Sequence, residues 1–471
     1  KRYVLDQHMA LMAQVIPAYR AAAERGQIEL TSSPYYHPIM PLLCDIRSAH
    51  VALPHLPLPP TTFRHPEDAR WHLQQGLARH QAAFGTLPNG LWPPEGSVSE
   101  DLVALALESN IRWIATDEEI LWRTLNIARS PSWLYKPHRL RRNNGDLAIV
   151  FRDRELSDLI GFVYSHWDPK VAVADFLKRL EDIHRQVGAA ARPALVSIIL
   201  DGENAWESYP NDGHEFLTAL YEALASREQF RCVTVSEFLQ QHPLDHEASL
   251  PTLFSGSWID GNFATWIGHP EKNAAWEHLA RAREALSPQS REDPAWQSLG
   301  VAEGSDWMWW FGDTHFTAQA EEFDRLFRTH LANGYRLSGL PIPETLNVPI
   351  RRQAAHVRHD PTGLIHPTID GRESSYYEWL YAGKVELRQQ YSAIQRGHQC
   401  LQTISYGFDD THQYLRLDVD LARLAQLSSW TIELVLASGT VIDISPNPAG
   451  ARASLRTDPS TLLPCALVRL I

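Results

Sequence analysis

The stretch IILDGENAWE, residues 198–207, is an apolar run that ends abruptly in an acidic segment and a tryptophan. Such a run is typical of a buried β-strand. Asp201 and Glu203 stand at its carboxyl end, so either the strand simply reaches the surface there or its end carries chemistry. In parallel α/β folds catalytic side chains collect at strand ends, because the following loops all open on one face.

Short β-type runs alternate with amphipathic helical patterns over roughly the first 240 residues. The candidate strands are QIEL, GLW, IRWIA, LAIVF, ALVSIIL and CVTV, and helical patterns lie between them at residues 66–84, 99–109, 169–187 and 214–226. This alternation predicts a parallel α/β barrel over residues 1–240. The series starts with a helical pattern that stops at Gly26, so we expect a first barrel strand to lie before Lys1.

The pattern changes after the predicted barrel. Long helical patterns without an intervening strand occupy residues 270–340, which predicts a helical domain over residues 241–370. The later segments HQYLRLDVDL and WTIELVLASG alternate apolar and polar residues at period two. That period is typical of strands with one buried face. We therefore expect an incomplete, β-sandwich-like domain over residues 371–471.

Composition and charge exclude several classes of function. The 56 acidic residues outnumber the 43 Lys and Arg, and no basic run is long enough to follow a nucleic-acid backbone. No apolar run reaches the roughly 18–20 residues that cross a bilayer. The cysteines, which form no CxxC pair, predict neither a disulfide framework nor a thiolate metal site; they are Cys44, Cys232, Cys400 and Cys465. With no signal peptide at its start, the chain is expected in the cytoplasm.

A second acidic strand end occurs in GLWPPEGSVSE, residues 90–100. Here a short strand runs into two prolines and Glu95, before a helix whose predicted N-cap is Ser97 or Ser99. Glu95 is either a carboxylate that favours the helix N-terminus or a side chain that the rigid Pro-Pro pair holds for chemistry. Two carboxylates on facing loops are what glycoside hydrolysis requires, one as nucleophile and one as acid and base.

Five stretches, taken in chain order, together resemble glycoside hydrolase family 57, the α-amylase and amylopullulanase-like family. They are GQIELTSSPYYHPIMPLL at 26–43, GLWPPEGSVSE at 90–100, DGENAWESYPNDGHEFL at 201–217, SWIDGNFATWIGHPEKNAAW at 257–276 and SDWMWWFGDTHFT at 305–317. The resemblance implies a (β/α)7 barrel followed by a helical domain, retention of configuration on α-glucans, a nucleophile at Glu95 and an acid/base at Asp201. It implies no metal or other cofactor. The family's first motif, of His-x-Pro type, has no match in residues 1–25.

The same motifs contain further candidates for binding sugars, each of which has a purely structural alternative. The candidates are Glu29, His37, Trp92, Glu203, Trp206, Trp258, Trp266, Asp306, Trp307 and His315. Glu203 would face the same side as Asp201 if the strand continued. For His37, the alternative to sugar binding is a histidine that only fixes the conformation of its loop. About half of the residues in DWMWW, if extended, would pack inward.

Three functions remain open on these grounds. The first is a retaining hydrolase of α-1,4-glucans such as starch, glycogen or maltodextrin, with or without α-1,6 cleavage. The second is a 4-α-glucanotransferase or branching enzyme that uses the same two carboxylates. The third is a non-catalytic glucan-binding protein, against which the intact pair Glu95 and Asp201 argues. The sequence does not define the oligomeric state.

Overall fold

The alternating pattern of the sequence forms a mixed α/β region in a computed structural model. The structure describes residues 2–188, 193–244, 249–287, 291, 293–312, 315, 317, 319–351, 358–368, 375–386, 401–419, 432–436, 441–444 and 465–470. The chain divides into two units, Lys1–Arg352 and Gln353–Ile471. The predicted barrel and most of the predicted helical domain both belong to the first unit.

The first unit contains a five-stranded sheet of order β1-β2-β4-β3-β5. Its strands are β1 (Gly90–Leu91), β2 (Trp113–Asp117), β3 (His138–Arg142), β4 (Gly145–Arg152) and β5 (Ser249–Leu250). Strands β1, β2 and β4 are mutually parallel, and single parallel bridges at Ser32 and Ser197 add a segment beyond each end of this series. The parallel arrangement expected from the alternation is therefore present.

The sheet differs from the six predicted strands in four places, one of which is the short strand β5, where no strand was predicted. Strand β3 pairs antiparallel with β4 across a two-residue Asn-Asn turn before Gly145, a hairpin signal that the prediction did not use. The segments QIEL and ALVSIIL form no regular strand. Their backbones reach the sheet through isolated bridges, at Ser32 just after QIEL and at Ser197 within ALVSIIL. The prediction of a strand at CVTV is wrong, because Thr234 caps the helix that starts at Val235.

The helical patterns predict the helices closely, because caps and apolar spacing are local. The pattern at 169–187 gives a helix that Asp168 caps through the backbone N–H groups of Lys170 and Val171, and Ser99 is the predicted cap of the helix after Glu95. The helices are α1 Arg2–Glu24, α2 Met40–Cys44, α3 Ala49–Ala52, α4 Pro66–Phe84, α5 Glu100–Glu108, α6 Glu118–Leu125, α7 Pro131–Leu134, α8 Arg154–Asp158, α9 Pro169–Val187, α10 Gly202–Ser208, α11 His214–Ala225, α12 Val235–Gln241, α13 Pro270–Ala285, α14 Pro294–Ala302, α15 Ser305–Trp310 and α16 Ala320–Leu337.

The central strands are buried on both faces, as parallel strands usually are. On one face Trp113, Ala115, Ala148 and Val150 form a small apolar cluster, which we call the inner cluster. The other face contributes residues such as Ile149 to the main core, which also holds the buried faces of α13, α14 and α16. Side chains alternate along a strand, so the last residues of β2 and β4 face the same side as the inner cluster.

The second unit is built of antiparallel strands. One sheet has the order β6-β7-β8-β9 and another has the order β11-β10-β12. Their bounds are β6 Arg358–His359, β7 Gly383–Glu386, β8 Leu401–Phe408, β9 Gln413–Val419, β10 Ile432–Leu436, β11 Val441–Ile444 and β12 Cys465–Leu470. The period-two segments HQYLRLDVDL and WTIELVLASG supply β9 and β10. In the described part of both units, no helix has the length and apolar character needed to cross a bilayer.

Candidate functional site

A cleft of about 250 Å³ brings together six residues that the sequence analysis singled out. They are His37, Trp92, Glu95, Asp201, Trp258 and Asp306. Trp92 directly follows strand β1, and Glu95 lies on the same loop. Asp201 follows the segment that bridges to the end of β4. The cleft thus lies at the carboxyl ends of parallel segments, where the loops of such sheets open.

Glu95 stands on a tight turn with a left-handed backbone. It has φ 56° and ψ 28° within the single turn Pro94–Gly96. Such a conformation costs a non-glycine residue on the order of 1–3 kcal/mol and is concentrated at functional sites. The Thr116 hydroxyl donates to the Gly96 carbonyl at 2.5 Å, which holds the turn against β2. Gly96 has φ 57°, and a Cβ there would lie 3.2 Å from the Trp92 ring, so both the backbone and the packing favour glycine at this position.

Two tryptophans flank the Glu95 carboxylate. The indole Nε1 of Trp258 donates to Oε2 of Glu95 at 2.8 Å, and the backbone N–H of Trp258 donates to the Glu95 carbonyl at 3.1 Å. The rings of Trp92 and Trp258 meet edge to face with centroids 5.2 Å apart. Both tryptophans line the cleft beside Glu95. Glu95 is therefore fixed by its main chain and by its side chain.

Asp201 lies directly before helix α10. Its backbone is extended, and it occupies the N-cap position without capping a backbone N–H through its side chain. Because α10 begins at Gly202, the strand does not continue past Asp201. The condition under which Glu203 would face the same side as Asp201, a strand that continues, is therefore not met. The Glu203 side chain lies outside the described part of the structure.

The remaining wall joins a loop to helix α15. His37 has φ 53°, and its Nδ1 lies 2.9 Å from the Ser305 hydroxyl. The Ser305 backbone N–H donates to the His37 carbonyl at 3.0 Å. Asp306 follows in the first turn of α15 and is exposed. A histidine and a carboxylate from distant segments are thus held on one wall.

A buried histidine–carboxyl pair connects the two segments that form this wall. His72 Nε2 lies 2.7 Å from Glu303 Oε2, and His72 Nδ1 donates to the Tyr35 carbonyl. Burial lowers the pKa of His72 to about 4. Burial, together with the negative charge of Asp68, raises the pKa of Glu303 well above its ordinary value. His72 is therefore neutral at neutral pH. Because its Nδ1–H donates to a carbonyl, its Nε2 can only accept, so the Glu303 carboxyl donates to Nε2.

Two other predicted residues are not among those that line the cleft. The Glu29 carboxylate accepts from the Trp113 indole at 3.0 Å and from the Ser236 backbone N–H at 3.0 Å. It thereby ties the segment after α1 to β2 and α12. Trp206 packs against Tyr209 with ring centroids 5.4 Å apart. Neither contact requires a sugar.

Three aromatic candidates lie around helix α15. Trp266 was expected on a sugar-binding face, but it has no exposed surface and belongs to the core. Trp307 donates its indole N–H to the Val301 carbonyl at 2.7 Å. His315 stacks on Trp309 at 4.0 Å. The run DWMWW is helical and not extended, so its side chains do not alternate between two faces.

The site residues predicted from the sequence do not include Arg152, His72, Glu303 or Ser305. Arg152 ends the apolar strand LAIVFR, so the strand-end rule that identified Asp201 applies to it too. The other three gave no local signal, because their partners are remote in the chain.

One group among the described residues has the spacing of metal ligands: His65, Glu67 and Asp68. Arg283 pairs with both Glu67, at 2.7 Å, and Asp68, at 2.6 Å. Arg291 also pairs with Asp68. These acidic groups already have cationic partners, and their chemistry fits arginine binding better than a cation site.

A cleft with carboxylates on two loops at the ends of parallel strands, lined by tryptophans, is typical of enzymes that act on glycosidic bonds. The family model of glycosyl hydrolase family 57 matches residues 2–251, more than half of the chain. The chain belongs to this family.

Solved structures of three enzymes share the fold. A branching enzyme from Thermococcus kodakaraensis has 17% identity and a TM-score of 0.55, with 74% of each chain covered. An α-amylase from Thermotoga maritima has 15% identity and a TM-score of 0.52, again with 74% of each covered. A 4-α-glucanotransferase from Thermococcus litoralis has 14% identity and a TM-score of 0.50, with 95% of this chain and 59% of that chain covered. None of the curated proteins compared with the chain matches it.

Proposed function

We propose that the chain is a retaining enzyme that hydrolyses α-1,4-glucans through a covalent glycosyl-enzyme intermediate. Glu95 is the nucleophile and Asp201 is the acid/base. The observation that carries the proposal is the cleft itself, which is lined by both carboxylates and by Trp92 and Trp258. Flat aromatic faces beside a carboxylate pair suit the apolar faces of glucose rings.

The two carboxylates divide the reaction between them. A Glu95 oxygen attacks the anomeric carbon while the protonated Asp201 gives its proton to the glycosidic oxygen, so the bond to the leaving sugar breaks. In the second half, the Asp201 carboxylate takes a proton from water, and the water oxygen attacks the anomeric carbon and releases Glu95. The Trp258 N–H, on Oε2 of Glu95, orients the nucleophile for the first step.

The other members of the wall are assigned to binding. His37, Trp92, Trp258 and Asp306 line the cleft and are proposed to contact the sugars next to the scissile bond. Asp306 is exposed and suits a sugar hydroxyl as a hydrogen-bond acceptor. No cofactor is required by this mechanism.

Transfer to a sugar is the main alternative to hydrolysis. The solved structures that share the fold include a branching enzyme and a 4-α-glucanotransferase as well as an α-amylase, which favours keeping this alternative. The chemistry differs only in the second half, where a sugar hydroxyl replaces water. α-1,6 cleavage, as in amylopullulanases, is a variant of the first function.

Product analysis on maltoheptaose tests these functions. A hydrolase yields only shorter chains, whereas a transferase also yields chains longer than seven units. Glu95→Gln and Asp201→Asn serve as paired controls, and each should abolish the products. Unchanged maltoheptaose, with binding retained, would mean a non-catalytic glucan-binding protein.

A further inference from the structure

Arg152 ends strand β4, at the edge of the sheet where the cleft lies. Arg152 is only 5% exposed. Its Cα pairs with Asp117 at the end of β2 and forms a bridge with Ser197 on the other side. Because Ala148 and Val150 of the same strand belong to the inner cluster, the Arg152 side chain points to that side as well. The guanidinium therefore lies between the ends of three parallel segments.

Two contacts connect this guanidinium with the proposed catalytic carboxylates. Arg152 Nε donates to the carbonyl of Ile199 at 2.6 Å, two residues before Asp201. The guanidinium carbon also lies 5.3 Å from the ring centroid of Trp258, whose indole N–H donates to Glu95. One side chain thus contacts both segments that hold the carboxylates.

The charge of Arg152 is neutralised by acidic groups below the cleft. Its guanidinium lies 3.3 Å from Asp117 and also pairs with Asp158 at the end of α8. Asp117 is shared with Arg154. A buried ion pair of this kind gains little net stability over apolar packing, because desolvation offsets the attraction. Stability alone therefore does not explain an arginine at this position.

We propose that Arg152 is a positioning residue that aligns both carboxylates of the cleft: Glu95 through the Trp258 ring, and Asp201 through the Ile199 backbone. This inference rests on the proposed function of that pair. A cation beside the indole attracts its π electrons. The ring N–H is thereby polarised toward Glu95, and linked polar contacts of this kind reinforce one another.

The charged groups around this contact come from several elements. On the cleft side, Glu95, Asp201, Asp306 and His37 face the same space. On the strand side, Asp117 and Asp158 face the guanidinium, and Arg154 acts through Asp117. Removal of the Arg152 charge leaves this set more negative, so protonation of the cleft carboxylates becomes easier.

A spectroscopic experiment tests the contact without requiring activity. In protein labelled with ¹⁵N-tryptophan, the Trp258 indole signal is assigned by its loss in Trp258→Phe. Its proton should move upfield in Glu95→Gln, which removes the anionic acceptor, and in Arg152→Gln. The matched control is Arg154→Gln, which removes a partner of the same Asp117 but leaves the Arg152 contacts in place. This variant should leave the Trp258 signal unmoved.

Kinetics test the consequence for the reaction. Arg152→Gln should lower kcat roughly 100-fold, the scale of a 1 Å misplacement, with KM nearly unchanged. The acidic limb of its kcat/KM profile should move to higher pH. The double variant with Trp258→Phe should lose less than the product of the two single losses, because both act through one contact. Arg154→Gln should keep kcat within about threefold, the range expected of a change away from the reacting groups.

Arg152→Lys guards against a variant that fails to fold. Lysine keeps the charge but not the planar group that bonds the Ile199 carbonyl. Arg152→Lys should therefore keep the Trp258 signal near its place and lose roughly tenfold in kcat, because only the Asp201 side is misaligned.

The outcomes separate this inference from the proposed function. An active wild type that Glu95→Gln inactivates, combined with wild-type kcat in Arg152→Lys or an unmoved Trp258 signal in Arg152→Gln, would overturn the positioning role alone. An inactive wild type would count against the proposed function. Even then, a Trp258 signal that responds to Arg152→Gln but not to Arg154→Gln would support the contact by which Arg152 positions Trp258 and Glu95.

Discussion

His37 Nδ1 lies 2.9 Å from the hydroxyl of Ser305, although 268 positions separate the two residues in the chain. The same serine also binds the His37 carbonyl through its backbone N–H. His37 has a left-handed backbone, which is unfavourable unless its surroundings hold it. Ser305 is thus part of what keeps this histidine on the cleft wall.

Ser305→Ala should weaken substrate binding more than turnover. The variant removes a buried hydroxyl and changes the volume of the side chain only slightly, so the surrounding packing is kept. A misoriented His37 would lose contacts made equally to substrate and transition state, so KM for maltoheptaose should rise several-fold while kcat stays within about twofold. Ser338→Ala, at the end of helix α16, is the matched control and should leave both constants unchanged. An equal loss in kcat would assign His37 to the chemical step.

Glu303→Gln should keep activity, whereas Glu303→Leu should not. Because the Glu303 carboxyl is neutral and donates to His72, an amide N–H can replace it. Leucine leaves the buried His72 nitrogen without a donor, at a cost of about 1–3 kcal/mol. Steady-state kinetics and thermal unfolding of both variants check this. A Gln variant as impaired as the Leu variant would show that Glu303 must be ionised.

The two proposed catalytic residues should respond differently to azide. In Glu95→Gln, azide can enter on the side the nucleophile has vacated, so turnover should return with inverted configuration. In Asp201→Asn, an activated substrate needs no acid, so azide should give a product of retained configuration. NMR of the glycosyl azide distinguishes the two. A glycosyl azide of inverted configuration from the Asp201 variant would contradict the assignment of Glu95 as nucleophile and Asp201 as acid/base.

The distance between the carboxyl groups should define the stereochemistry. Retaining pairs stand about 5–5.5 Å apart, whereas inverting pairs stand roughly 6.5–9.5 Å apart to admit a water. We therefore expect the Glu95 and Asp201 carboxyl groups at the shorter separation in a crystal structure with a bound oligosaccharide. A separation within the inverting range would contradict the covalent mechanism.

Glu118 should make stability fall as the pH rises. Burial, aided by the charges of Asp153 and Asp117, raises the pKa of this carboxyl from 4.5 to about 8, although Arg129 lies 3.2 Å away. Between these two values the folded protein holds a proton that the unfolded chain has lost, so alkaline conditions favour unfolding.

Glu118→Gln should consequently stabilise the protein at pH 8 relative to pH 5. The difference should be at least roughly 1 kcal/mol, since one pKa unit corresponds to about 1.4 kcal/mol. Denaturant unfolding at both pH values measures it. Glu119→Gln, which makes the same charge change on the half-buried neighbour, is the control. Equal effects of both variants would mean that Glu118 is ionised in the folded state.

The sequence by itself determined those features that depend on neighbouring residues. Helix α9 was predicted to the residue, because its apolar spacing, the Asp168 cap and Pro169 are all local. The strand-end rule and the motifs also predicted a role for Glu95 and Asp201, both of which line the cleft, since a carboxylate that follows an apolar run is visible in the chain itself. The resemblance on which their roles depend likewise needs only contiguous stretches.

The tertiary structure decided which distant groups meet. Trp258 and Trp266 belong to one motif, yet their surroundings differ. Trp258 donates a hydrogen bond to Glu95 in the cleft, whereas Trp266 is fully buried in the core. Arg152 reaches Trp258 and Ile199 only after three parallel segments have come into register. Periodicity reports which face of an element is apolar, but not which element will cover it. Burial and partners, which fix the charge and orientation of a side chain, arise only when remote segments pack together.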